Sequence, residues 1–338
     1  MTSKEPITQI NAMAQAPEEP PQKKSGRAIE WFAENGIFVF TAVLILAAAI
    51  FVDGFASLQN ITDVFHRAAP IGIVAVGMTF VVISGNYLDL SVVAQVATAG
   101  VILLGVGPVY GYPVAILAAL LAALVYGVVN GVAVGYFKAN AVIVTLATTY
   151  IGVGLLRFFS GGSIFFGSPD SVVAQFGQGK LGPIPYSAIV LVIVTLILSF
   201  VLTRTNFGFT VKSFGVNERA TRLGGTNTGL VIVGAFLVTA IAAMIAGFVL
   251  AAFSNTAVSS MSQGFDFRAL AAIIVGGTSV FGGKGSVLRT LLGVIFVSVL
   301  SNVLVILNFS FGIQQMALGF LIAAAVSLDA LARRAGKK

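Results

Sequence analysis

The chain has 338 residues, 57% of them hydrophobic and only 9% charged, with a mean hydropathy of +1.00 and a formal net charge of +7. A soluble domain carries about 25% charged residues, so this composition excludes one and reads as a polytopic membrane protein. The absence of cysteine excludes disulfides and thiolate metal sites, and a single histidine, His66, excludes a multi-histidine metal centre.

Residues 1–33 are polar, contain Pro17, Pro20 and Pro21, and lack an apolar signal-peptide core. They read as a disordered cytoplasmic N-terminal tail. Residues 34–331 read as one all-α transmembrane domain, and 332–338 as a short basic cytoplasmic tail. A crossing needs roughly 20 apolar residues. By that measure about ten spans are expected, near 36–52, 65–84, 89–106, 113–135, 140–159, 185–203, 229–252, 266–281, 286–307 and 311–330.

Charge checks that count. With ten spans and both termini inside, all of the 19 Lys and Arg residues fall inside except Arg67, Arg157, Lys180 and Arg268. The net positive charge therefore reports orientation and contact with the lipid bilayer, not nucleic acid. The long outer connection, about 160–184, reads either as a platform for an extracytoplasmic partner or as a tolerated surface loop. In the fourth span Gly127, Gly131 and Gly135 recur every four residues, which makes a groove for close helix packing within one chain or between two. Asn130, Thr145, Thr148, Thr149 and Asn302 read as interhelical hydrogen-bonding groups.

Three stretches carry the functional argument. The first is SGNYLDLS, Ser84–Ser91. Asp89 is the clearest acid at membrane depth, and Gly85 with Asn86 interrupts the helix before it. Asn86, Asp89, Ser91 and Gln95 read as a substrate pathway or gate. Equally, Asp89 reads as a cap for the third span. The second is GGTSVFGGKGS, Gly276–Ser286, which is not a phosphate-binding loop. Six residues before Lys284 stands Thr278 instead of glycine, and Gly285 replaces the required hydroxyl residue. It reads as a glycine turn beside the third stretch.

That third stretch is Gly208–Asn227, the longest charged interruption of the oily sequence, within a loop at about 204–228. Asn217 is suited to N-cap a helix, and Glu218 follows in its first turn. Arg219 and Arg222 share a face, and Gly224 with Gly225 ends the helix. This predicts a capped helix of about two turns, basic on one face, that docks a partner. No paired-acid, metalloprotease or nucleophile-elbow pattern is present, so the chain does not read as an enzyme. His66 beside Arg67 reads as an interfacial residue.

At these stretches the chain resembles the permease subunits of bacterial ABC importers for monosaccharides, of the ribose, xylose and arabinose type. The resemblance lies in Leu88–Ser91, in Tyr136–Leu155, in GVNERATRLGGTN at Gly215–Asn227 and in ALAAIIVGGTSVFGGKGSV at Ala269–Val287. It implies an ABC importer permease fold of the ten-helix type in the bacterial inner membrane. It implies a cytoplasmic ABC ATPase subunit that binds ATP and Mg, so that this chain has no cofactor or metal of its own. It implies a periplasmic sugar-binding protein and a second permease copy, as homodimer or heterodimer. Asn217, Glu218, Arg219, Arg222 and Lys284 would then couple the chain to the ATPase. The alternative, on the residues alone, is an ion-gradient-coupled secondary transporter using Asp89.

Overall fold

In a computed structural model of the protein, residues 24–85 and 87–335 are described. Residues 1–23 and 336–338 of the two expected tails lie outside them, as does Asn86. The chain divides into Met1–Gly36 and Ile37–Lys338. Helix α1 (Lys24–Phe51) begins in the first unit, inside the stretch that read as a tail. Residues 24–51 contain good helix formers and no proline.

The second unit continues in chain order with α2 (Leu58–Ile83), α3 (Val92–Tyr110), α4 (Tyr112–Gly135) and α5 (Ala141–Ser160). A connection follows with β1 (Phe165–Phe166), α6 (Val172–Gln178), β2 (Lys180–Leu181) and β3 (Ile184–Pro185). Then come α7 (Tyr186–Arg204), α8 (Asn206–Val216), α9 (Glu218–Leu223) and α10 (Thr228–Ser254). The chain closes with β4 (Thr256–Ala257), α11 (Phe265–Val275), α12 (Val287–Ile306) and α13 (Phe311–Ala335). The all-α reading holds apart from two clips of two residues per strand, β1 with β4 and β2 with β3, both antiparallel.

Among the described residues seven helices are long and apolar enough to cross a membrane: α2, α3, α4, α5, α7, α10 and α12. Shorter apolar helices cover Gly36–Phe51 and Phe311–Ser327. The eighth expected span, 266–281, differs in kind. Its helix, α11, has 11 residues and so reaches about 16 Å, half of a bilayer core of about 30 Å. The rest of the crossing is non-helical. After β4 the chain runs past α3, where a methyl added at Gly100 would meet Met261 and the Ser262 hydroxyl donates to the Val93 carbonyl at 2.6 Å. Backbone without regular structure survives at membrane depth only when protein satisfies it. Ser262 is fully buried and ties this segment to α3.

Helix α2 is the centre of the bundle. From Ala68 to Ile83 all but Ile71 are buried, as expected for a helix apolar all round. Helix α10 packs on α2, α3 and α4. Its contact with α4 is the glycine groove. A methyl added at Gly127 would lie 2.9 Å from the Leu237 Cα, one at Gly131 2.6 Å from the Val233 Cα, and one at Gly135 2.8 Å from the Gly229 carbonyl. The groove thus packs within the chain.

Gly131→Leu forces these backbones apart and costs about 1–3 kcal/mol. Gly154→Ala, with nothing within 4 Å of the added methyl, stays within about 0.5 kcal/mol of the parent. Circular dichroism during heating in detergent measures both, and equal melting of the two variants refutes the groove as a close-packed seam.

Candidate functional site

One end of the bundle collects α8, α9, the 84–91 segment, the α4–α5 link and the 276–286 turn. The expected capped helix is α9. Asn217 stands outside helical geometry at φ −158° and its side chain accepts from the Ala220 N–H at 2.9 Å. Glu218 occupies the first turn and Arg222 the last, which suits both to the helix dipole. Gly225, at φ +84°, takes the left-handed turn after it. No residue of α9 is buried, and Val216 and Leu223 at its two ends are 74% and 81% exposed. Arg219 and Arg222 are exposed between them. The result is a small knob presenting two apolar side chains and two guanidinium groups.

The knob is seated by glycines. The Gly283 N–H donates to the Ile83 carbonyl at 2.9 Å. A methyl on Gly215 would collide with that same carbonyl, and one on Gly282 would lie 2.5 Å from the Gly85 Cα. The ends of α2 and α8 and the glycine turn therefore meet backbone to backbone. Lys284 is exposed on this turn beside Val216, to which a methyl on Gly283 would come within 2.8 Å. Glu218 has a partner within the chain, its Oε1 lying 2.7 Å from Lys138 Nζ. Tyr87 faces the same corner. Burial pushes its phenol pKa up, and the Glu218 charge adds to that rise.

The polar stretch after α2 folds inward. Asp89 is fully buried. Its Oδ1 accepts from the Ser91 N–H at 3.0 Å and from the Ser91 hydroxyl at 2.5 Å, and its Oδ2 accepts from Gln95 Nε2 at 3.4 Å. The Ser91 oxygen in turn accepts from Gln95 Nε2 at 2.6 Å and from Asn130 Nδ2 at 2.8 Å. Sequence reading grouped Asp89, Ser91 and Gln95, and they do meet. It missed Asn130 as a fourth member, because α4 is remote in sequence. Thr149 of α5 donates to the Leu90 carbonyl at 2.9 Å and Thr145 to the Leu88 carbonyl at 3.4 Å. The cluster is therefore a knot joining α3, α4 and α5.

A cavity of about 640 Å³ lies next to it, between α3, α4 and α5. Thr98, Val129 and Thr148 line it, while Asp89, Ser91, Gln95 and Asn130 do not. Apart from Thr98, Tyr126, Thr148 and Ser160 its walls are apolar. A different face is wetter. Gln263 precedes α11 and is exposed, as is Gln315 of α13, whose Nε2 would lie 4.0 Å from a methyl on Gly264. Both amides therefore stand on one exposed face, between the start of α11 and the first turns of α13. His66 is held by the protein itself. It is buried, stacked on Phe253 at 4.6 Å and hydrogen-bonded to Ser187 at 3.0 Å. Among the described residues no group of acids and histidines could hold a metal.

Over residues 60–329 the chain matches the family described as branched-chain amino acid transport system / permease component. It is 34% identical over 300 residues to the ribose import permease protein of Bacillus subtilis (strain 168), covering 87% of this chain and 92% of that one. It is 33% identical over 309 residues to a probable ABC transporter permease protein of Escherichia coli (strain K12), covering 90% and 92%. It is 31% identical over 303 residues to the L-arabinose transport system permease protein of the same organism, covering 89% and 92%. No solved structure matches.

The knot yields a stability test. Ser91→Ala strands the Gln95 and Asn130 amides and costs about 1–3 kcal/mol. Adding Asn130→Leu removes one stranded donor, so the double variant loses less than the sum of the singles. Thermal unfolding in detergent gives the cycle, and strict additivity would count against a shared network.

Proposed function

We propose the function of this chain from one premise, that it belongs to the family of transport-system permease components just described. It is a membrane-spanning transport subunit of an ABC importer and not an enzyme. The solute we propose is a monosaccharide or similar small polar molecule, because curated relatives are named for ribose and arabinose. The single observation that carries the mechanism is the knob. It is a helix capped at its start by Asn217, without a buried residue, standing apart from the bundle on glycine contacts.

In this reading the α9 end faces the cytoplasm, with both termini on that side. Arg219, Arg222 and Lys284, with Val216 and Leu223, dock into an ABC ATPase subunit that binds ATP and Mg. Asn217 and Glu218 shape and orient the helix. A periplasmic binding protein delivers solute at the opposite end, where β1 and β4 pin the long connection. A second permease copy, identical or related, completes the pore, and the exposed face bearing Gln263 and Gln315 lines it. Amides suit a solute made of hydroxyls, which needs donors and acceptors but no charge. Asp89, Ser91 and Gln95 form a gate that acts by holding helices and not by touching the solute, because the carboxylate is sealed by its own bonds. Alternating access then follows from ATP and the loaded binding protein favouring different states. The ion-gradient alternative gains nothing from the relatives' names.

The test begins with affinity purification from native membranes in mild detergent and identification of the co-purifying ATPase and binding protein. The complex is then placed in vesicles and supplied with ATP and labelled monosaccharides. Uptake is expected to require ATP. Arg222→Glu should lower co-purification of the ATPase without unfolding the chain. Gln315→Leu should keep the complex intact and slow uptake about tenfold, the value of one lost hydrogen bond of about 1.4 kcal/mol. Uptake that ignores ATP and collapses with the proton gradient would overturn this function.

A further inference from the structure

The link between α4 and α5, residues 136–140, turns through Lys138, whose φ of 55° puts a side-chain-bearing residue in the left-handed region. Glycine is the usual occupant there, because it has no Cβ to strain. Such strain persists only where surrounding contacts hold it, and it concentrates at functional and switching segments. The Ala139 N–H closes the turn around Lys138 by donating to the Ala133 carbonyl at 3.1 Å, and the lysine side chain makes an ion pair with Glu218 at 2.7 Å, the only ion pair among the described residues. The two side chains are 49% and 39% exposed. Exposed pairs add little to stability, so the strain is not explained by what the pair adds to the folded state. Its placement offers the explanation.

Glu218 opens α9, the helix without a buried residue. Lys138 stands between two helices that both grip the buried knot. On one side α4 sends Asn130 to the Ser91 hydroxyl. On the other Asn140 caps α5, accepting from the Val142 and Ile143 N–H groups, and α5 holds the Leu90 carbonyl through Thr149. The pair is thus the one charged tie between the knob and the link at which α4 ends and α5 starts. It works in parallel with the glycine contacts to α2.

We propose that Lys138 is a positioning residue for transport, a strut that carries displacement of α9 to α4 and α5 and through them to the Asp89–Ser91 knot. This rests on the reading of α9 as the ATPase contact. In a chain built this way, the sign of each charge matters less than their opposition, and the lysine backbone conformation matters less than its tether.

The test uses Lys138→Glu, Glu218→Lys and the two together, each in the complex with its ATPase and binding protein. Each single variant is expected to keep hydrolysing ATP but to move at least ~5-fold less solute per ATP, the lower end of coupling between distant sites. The double exchange restores the ratio. Lys138→Gly, which relieves the backbone but removes the charge, behaves like the single reversals. A second measurement needs neither ATP nor partner. Hydrogen exchange at residues 136–140 in the purified chain should quicken in each single variant and return in the double. Parent-like transport by Lys138→Gly, or a double exchange that restores neither quantity, would overturn the strut. A parent complex without ATP-driven uptake would instead overturn the transport reading, and the exchange measurement would still decide the ion pair.

Discussion

Backbone that leaves the helix within a packed bundle must find its hydrogen bonds in the protein, and the architecture is arranged around three such departures. One is the 84–91 segment, where Thr149 supplies the Leu90 carbonyl. Another is the descent from Asn255 to Gly264, where Asn255 and Gly167 bond each other twice and Ser262 supplies the Val93 carbonyl. The third is the glycine turn, whose Gly283 N–H serves Ile83. Each departure ends on α2 or α3, the most enclosed part of the bundle. The irregular segments therefore become its joints, since they are the places where helices are tied by a few bonds and not by long apolar faces.

Much of this was legible in the sequence, for physical reasons that differ by element. Long apolar runs are visible because the bilayer demands length, and the spans of α2, α4, α5, α7, α10 and α12 stand close to where hydropathy put them. The α9 helix was legible because its signals are local, a capping asparagine and a terminal glycine pair. The preceding helix α8 was not separated from it, since NFGFTVKSFGV carries two glycines that mask the cap Thr205 supplies at its start. The broken eighth span escaped because hydropathy measures oiliness and not the path of the chain. Phe265–Val275 is as apolar as a span but too short to be one. Asp89, Ser91 and Gln95 were legible as a group and Asn130 as an interhelical hydrogen-bonding residue, while the partners of Asn130 and Lys138 were not. Contact across 39 and 80 positions leaves no local trace, and a left-handed lysine looks like any other.

The electrostatics are economical. Asp89 is the one fully buried carboxylate among the described residues, and it is met by a backbone N–H, a hydroxyl and an amide instead of a cation. Fixed dipoles stabilise such a group without placing a second charge in the low-dielectric interior. The same economy holds between helices, where Asn60 and Asn302 exchange two amide bonds and Thr79 meets Thr290. A bundle tied by neutral groups can shift its helices without separating opposite charges in oil.

The clip between β1 and β4 joins Phe165 to Ala257 and Phe166 to Thr256. These partners are made far apart in time. The connection after α5 leaves the translation machinery while the strand that will hold it has yet to be synthesised. At about 5–20 residues per second, it waits on the order of ten seconds for α7 through α10 to follow. During that interval Phe165, Phe166 and Val172 have no partner from the end of α10, and a protease or chaperone meets an open segment of chain. Closing the clip therefore marks the insertion of α10, and makes the long connection a record of whether the later helices have arrived.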